Sequence, residues 1–297
     1  MKLNHITGSS YYLDGESAVG VYIFSDNTCL LVDSGPGEAR AKKIMEVLDQ
    51  AGLKVHAIFS THSHADHCGG NAYIQARTDC TIMASAMSAA VIENPLLGPA
   101  MLYSAYPLRV LKNRALMPQP SKVEQIIQPG ILHIKNEEFV ILDLPGHSIG
   151  QLGLVNPDGV AFLGDSLMHE EMLINYPFLY MVDIQSQLET LAYLEQSCWS
   201  QVFLTHGGKI DDFQQCVRSN HERIHSIIAG IMTIVELSSS REKIIAEMLN
   251  QLKMSVNSGQ YYLVSSTVSA FLSYLCQQKK VRNKVEEGVM KFSLVVY

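Results

Sequence analysis

Short apolar runs, each closed by a polar or glycine-rich turn, fill the first two-thirds of the chain and predict strands separated by loops. Residues 18–24 and 28–33 read as two strands hinged on Ser25-Asp26-Asn27. Asp33-Ser34-Gly35-Pro36-Gly37 breaks the second, and residues 38–52 follow with Ala41, Ile44, Met45, Leu48 and Ala51 at helical spacing. A strand at 55–60, a helix at 71–78 and a strand at 81–85 come next. Residues 87–128, rich in Leu, Met, Tyr and Pro, show no strand period and read as a mostly helical insertion. Strands are expected at 131–134, 138–142, 152–155 and 160–164, the last two about the hairpin pair Asp158-Gly159. A helix at 184–196 and a buried strand at 202–205 close this part.

Past about residue 208 the pattern changes. Residues 214–237 read as a long helix, and 241–252 and 265–278 as two more, with Ser240 and Ser265 as expected N-caps. Residues 281–297 suggest two strands about Glu286-Glu287-Gly288. The chain thus divides into 1–212 and a helical 213–297, which fits either a winged-helix-like module or a plain helical cap.

Composition narrows the classes. With 297 residues, 47% apolar and 17% charged, the chain is long enough for one large globular unit and a small one. No apolar run reaches the roughly 18–20 residues of a membrane span, and the N-terminus has no apolar signal core. The expectation is therefore a cytoplasmic protein with no membrane partner. Cys29, Cys68, Cys80, Cys198, Cys216 and Cys276 are scattered and read as free thiols. Residues 218–297 carry ten Lys/Arg against six Glu, a net +4, which leaves −11 of the total −7 on the first 217. An acidic main body is poor ground for nucleic acid, although the basic tail keeps that partner open.

The chemistry concentrates in Thr61-His62-Ser63-His64-Ala65-Asp66-His67-Cys68-Gly69-Gly70, just after a buried strand and before a helix. Three imidazoles and a carboxylate within six residues supply ligands for a borderline cation such as zinc. On a turn, His62 and His64 face one way and Asp66 and His67 another, which suits two adjacent ions. His147, Asp165 and His206 each end an apolar run beside a glycine. Strand ends on one edge of a sheet converge, and loops there carry function. Cys68, next to this run, reads as packing.

These motifs resemble the metallo-β-lactamase superfamily over about residues 18–208, with Asp33, the 62–67 run, His147, Asp165 and His206 as its five ordered motifs. The resemblance implies an α/β fold, the αββα four-layer sandwich, with a small mostly helical C-terminal part. It implies two divalent metal ions, zinc first and iron or manganese as alternatives. His62, His64 and His147 would bind one ion, Asp66, His67 and His206 the other, and Asp165 both. Asp33 would orient the motif loop without touching metal. The implied activity is hydrolysis of a thioester, lactone or other small ester by a hydroxide shared between the ions, with Asp66 accepting or relaying the proton. An aspartate at 165, where true zinc β-lactamases carry cysteine, resembles the glyoxalase II-like and lactonase-like branches. Tyr103 and Tyr106 in the insertion, and Met168, Tyr176, Phe178, Tyr180 and Met181 after the fourth motif, are candidates to line a small-molecule pocket. The apolar insertion also suits a homodimer. Two other readings are a metal-dependent endoribonuclease using the basic tail and a mononuclear iron persulfide dioxygenase.

Overall fold

The computed structural model describes residues 1–236 and 239–295. Leu3–Thr7 (β1), Ser10–Leu13 (β2), Val19–Ile23 (β3) and Thr28–Val32 (β4) form an antiparallel meander. Lys54–Phe59 (β5), Thr81–Ala84 (β6) and Gln125–Ile126 (β7) extend it in parallel, so the first sheet runs in order β1 to β7. Its connections carry Glu38–Gln50 (α1), the single turn Ala65–Cys68 (α2), Asn71–Thr78 (α3), Ala86–Glu93 (α4) and Leu97–Tyr103 (α5).

Gly130–Ile134 (β8), Glu137–Asp143 (β9), Leu152–Val155 (β10), Val160–Phe162 (β11), Gln201–Leu204 (β12) and Gly208–Ile210 (β13) lie side by side as the second sheet. Glu170–Asn175 (α6) and Ile184–Glu195 (α7) bridge β11 to β12. Phe213–Val235 (α8), Ser239–Ser240 (β14), Arg241–Gln251 (α9), Ser258–Gln277 (α10), Val281–Glu286 (β15) and Val289–Leu294 (β16) complete the chain, with the last strands in order β14-β16-β15.

Period-two alternation explains the layers. Leu30 and Val32 of β4 point between the sheets, where they meet Phe59, Phe139, Leu154, Phe162 and Phe203. Cys29 and Leu31 point the other way, onto Ala41, Ile44 and Leu48 of α1 and Ile74 of α3. One register shift falls at His56, where Cys29 pairs with Val55 but Leu30 with Ala57. The extra residue lets Val55 and Ile58 share the helix-facing side while Ala57 and Phe59 face inward. Beyond the second sheet, Leu142, Leu144, Leu163, Val202 and Leu204 pack on α7, α8, α9 and α10 in one continuous cluster. The result is an αββα sandwich whose outermost layer includes the C-terminal helices.

Those helices also hold the loop after β11. Asn220 of α8 accepts from Met168 N at 3.0 Å and donates to Met168 O at 2.8 Å. Thr267 of α10 accepts from Met181 N at 3.2 Å, and Phe178 packs on Phe271 with ring centroids 6.2 Å apart.

Several expectations need correcting. Residues 87–128 are not mostly helical: α4 and α5 give way to a 3-10 turn at Arg109–Leu111, then loop, then β7. Pro107, Pro118 and Pro120 interrupt helical hydrogen bonding there. The helix expected from residue 265 starts seven residues earlier, and its cap is Asn257. Asn257 Oδ1 accepts from Gln260 N, and Gln260 Oε1 accepts from Asn257 N, both at 3.0 Å, a reciprocal capping box. β1, β2, β13 and α6 were not expected; they are short and poor in apolar periodicity. The expected ends at Leu237 and Tyr297 lie outside the described residues.

Replacing Asn257 with alanine removes both cap bonds and lowers unfolding stability by about 1 kcal/mol. Ser265→Ala, inside the helix, changes it by less than about 0.5 kcal/mol. Denaturant midpoints of the two variants measure the difference, and equal midpoints would contradict the Asn257 cap.

Candidate metal centre

Strand direction decides where the motifs meet. β9 and β11 are both antiparallel to β10, and β12 is parallel to β11, so all three end on one edge of the second sheet. β4 and β5 are parallel and end together on the first. Two backbone hydrogen bonds join the edges, Leu152 N to Thr61 O and Ala18 N to Thr205 O, each at 2.9 Å. Every motif residue lies just past one of these strand ends.

His64 is the residue before α2 and has extended backbone, φ −69° and ψ 146°. That change of direction brings His62 Nε2 within 2.9 Å of His64 Nδ1 while Asp66 and His67 ride on the helical turn. His147 Nε2 comes from the loop after β9 to 2.9 Å from the same His64 nitrogen. Asp165 Oδ2, after β11, lies 3.3 Å from His67 Nε2, 3.5 Å from His147 Nε2 and 3.7 Å from His206 Nε2. His206 Nε2 lies 3.0 Å from Asp66 Oδ2. The seven side chains therefore form three overlapping groups: His62, His64 and His147; His62, His67 and Asp165; Asp66, His67 and His206. Within each group the ligand atoms lie within 4.8 Å of one another.

The outer ring nitrogens are already committed. His67 Nδ1 donates to Asp33 Oδ2 at 2.8 Å, His147 Nδ1 to Tyr180 O at 2.9 Å and His206 Nδ1 to Glu16 O at 2.8 Å. Thr61 Oγ1 donates to Asp33 Oδ2 at 2.9 Å, which leaves its lone pair for His62 Nδ1 at 3.1 Å. These bonds assign the tautomers of four rings: in neutral His62, His67, His147 and His206 Nε2 is the inward-facing lone pair, while His64 faces inward through Nδ1. His67 Nε2 and Asp165 Oδ1 are buried without any hydrogen-bond partner. Nitrogen and oxygen acceptors crowded together, with their outer atoms held by carboxylate, hydroxyl and carbonyl groups, fit divalent cations.

Asp33 is 1% exposed and anchors this frame. Its Oδ1 accepts from Thr61 N at 2.8 Å, and its backbone is left-handed at φ 65°. Gly69 and Gly70 let the chain after α2 lie against residues 34–37, where a side chain at 70 would run into the Ser34 carbonyl.

Burial pushes His62 well below its ordinary range, and the imidazoles of His67, His64 and His147 push the same way. Burial and His147 bring His64 down to about 3. Burial lowers His147 too, against the pull of Asp165. For His67 burial is outweighed by the carboxylates of Asp165, Asp33 and Asp66, which hold it well above 6.5. Burial is likewise outweighed at His206, raised by its hydrogen bond to Asp66 and by Asp165. Burial alone would raise Asp66 and Asp165, but His67 above all holds both below the carboxylate range. One side of the cluster thus favours neutral imidazoles and the other ion pairs.

Tyr180 stands beside the cluster, its ring 5.5 Å from that of His64 and 5.8 Å from that of His147. The other pocket candidates are spread out. Tyr103 meets Tyr262 edge-on at 5.3 Å, Tyr106 and Tyr176 are exposed, and Met168 and Phe178 pack against the core under the C-terminal helices. Cys68 donates to Ser63 O at 3.3 Å, and burial pushes its thiol up. The sequence motifs point to no supporting role for Thr61 or Gln187. Gln187 Nε2 donates to Ser166 O at 2.8 Å, and its side chain packs under Gly146, so it ties the His147 loop to the Asp165 loop. Its signal was there: in α7 it shares the buried face with Ile184, Leu191 and Leu194.

The metallo-beta-lactamase superfamily model matches residues 14–197. Hydroxyacylglutathione hydrolase of Vibrio campbellii is 34% identical over 143 residues, covering 48% of this chain and 44% of that protein. Hydroxyacylglutathione hydrolase 2 of Vibrio vulnificus is 29% identical with the same coverage. The chain thus spans less than half the length of these curated relatives. A beta-lactamase domain protein from Burkholderia ambifaria superposes with a TM-score of 0.78 at 15% identity, over 99% of this chain and 93% of its own. A metallo-beta-lactamase family protein from Thermus thermophilus does so with 0.75 at 17%, over 97% and 99%. At those identities the structural likeness is one of fold. Since the family model spans more than half of the residues, the chain belongs to the metallo-beta-lactamase superfamily.

Proposed function

We propose that this chain is a binuclear metal-dependent hydrolase of small esters, with residues 1–212 as the catalytic part and 213–297 as a helical extension. The observation that carries this is the set of overlapping donor groups sharing one strand-end edge. His62, His64 and His147 would hold one ion and Asp66, His67 and His206 the second, and Asp165, whose Oδ2 faces three of these imidazoles, would serve both. Zinc is the favoured metal, because five imidazole nitrogens outnumber the carboxylates.

Bound there, two divalent cations supply Lewis acidity toward a carbonyl oxygen and a water acidified to near neutral pH. The protein's own residues do the rest. Asp33, Thr61, Glu16 O and Tyr180 O fix the ring planes before substrate arrives, so little reorganisation is left for the reaction. Asp66 is the residue to take the proton: its side chain is 42% exposed, against 6% for Asp165, so it reaches solvent from inside the cluster. Tyr180 packs its ring beside His64 and His147. The curated relatives, named hydroxyacylglutathione hydrolases, favour a thioester among the small esters.

A panel of thioesters, lactones, phosphodiesters and β-lactams tests the activity on zinc-loaded protein. Turnover of a thioester or lactone is expected, and turnover of phosphodiesters alone would overturn the assignment.

Asp165→Ala and His67→Ala are expected to leave at most one tightly held ion per chain, and metal analysis after dialysis reads this directly. Two ions retained in both variants would falsify the ligand set.

The protonation states set a pH signature. His62, His64 and His147 are neutral above pH 6.5, so an ion binding there displaces no proton from these imidazoles. His67 and His206 titrate above 6.5, so an ion binding there must displace theirs. From pH 6.5 upward, affinity for one equivalent of zinc should stay flat while affinity for the other rises. Titration calorimetry in buffers of different ionisation enthalpy counts the protons, and release of none with either equivalent contradicts the assignment.

A further inference from the structure

We propose that Arg40 is a positioning residue for the ion held by Asp66, His67 and His206, an assignment that rests on the metal-centre reading above. Arg40 is the third residue of α1, and its side chain hydrogen-bonds to none of the seven clustered residues. Its side chain runs between two loops. A Cβ on Gly35 would lie 2.8 Å from Arg40 Cγ, and one on Gly15 would overlap its guanidinium, so both glycines are pressed against it. Nη2 donates to Asp14 O at 2.5 Å and to Ser17 O at 3.4 Å.

Each loop supports one side of the same donor group. On the first, Glu16 O, between the two carbonyls that Arg40 holds, accepts from His206 Nδ1 at 2.8 Å, and Ala18 N donates to Thr205 O at 2.9 Å. On the second, Ser34 N and Gly35 N donate to His67 O at 2.7 and 3.1 Å, and Gly35 O accepts from Gly70 N at 3.0 Å. The side chain therefore spans the two loops, its guanidinium hydrogen-bonded to the 14–17 loop and its Cγ pressed against Gly35, and so sets the distance between the carbonyl that orients His206 and the backbone that carries His67. His64 and His147 take their support elsewhere, His147 from Tyr180 O and His64 from its place before α2.

Both bonds leave from Nη2, so a lysine ammonium can replace a donor there, but as a point charge on a flexible stem it lacks the planar group that packs against Gly15. Losing Arg40 frees the 14–18 loop and lets the His206 ring turn. Loss of outer partners of a metal-binding histidine costs about 10–100-fold in metal affinity, and here the loss is confined to one of two ions.

The test compares zinc stoichiometry and the two dissociation constants, by chelator competition, in wild type, Arg40→Met and Arg40→Lys, with melting of the metal-free proteins as a control for general damage. The expected result is one ion at wild-type affinity in Arg40→Met and the second weakened at least tenfold, with partial recovery in Arg40→Lys. If Arg40→Met does not fold, Arg40→Lys carries the comparison with the same asymmetry at smaller size. Both affinities within twofold of wild type, or both weakened equally, would overturn the positioning role. Fewer than two ions in wild type would instead overturn the metal-centre reading itself.

Discussion

Five imidazoles and two carboxylates cannot be packed against one another, mostly out of water, unless their directions are fixed from outside and their inward lone pairs are neutralised. The rest of the structure answers to that constraint. Desolvation alone would drive the carboxylates neutral and the imidazoles unprotonated. Here the cost is divided. The His62, His64 and His147 side stays neutral, while Asp66 and Asp165 stay charged against His67 and His206. Asp33 is central because it satisfies His67, Thr61 N and Thr61 Oγ1 at once, and through Thr61 reaches His62.

The sandwich provides what such a cluster needs. Parallel pairs, β4 with β5 and β11 with β12, send consecutive motifs to the same edge, which an all-antiparallel meander would scatter to opposite ends. The two sheets are joined where the cluster sits, by Leu152 N to Thr61 O and Ala18 N to Thr205 O. The loops bearing the clustered side chains are therefore braced by both halves of the core. Catalytic groups on loops are precise only when the scaffold holds them from several directions.

Much of this was legible in the chain. The strand periods of β3, β4, β5, β9, β10 and β11 and the spacing of α1 and α3 are carried by apolar side chains whose burial the period dictates. The seven clustered side chains were legible because histidine and aspartate after an apolar run, beside glycine, is a costly thing to place at random. What the sequence hid was held by backbone groups. Glu16 and Tyr180 act through carbonyls, which no residue type advertises. The start of α10 was misplaced because Ser265 looks like a cap, while the reciprocal pairing of Asn257 with Gln260 decides the matter. The insertion misled because its Leu and Met content suggests a helix and its prolines act only locally. The pocket candidates scattered because aromatic content does not say which way a ring faces.

The tether between the loop after β11 and the C-terminal helices carries a consequence for how such a chain can diversify. Met168, Phe178 and Met181 are gripped by Asn220, Phe271 and Thr267, and Tyr180, between the last two, lends its carbonyl to His147. A gene fusion that exchanged everything past residue 212 for a foreign module would leave that loop without its backing. The backing of the His147 loop is therefore built from residues far along the chain, and exchanging them would be felt at the histidine cluster through Tyr180 O.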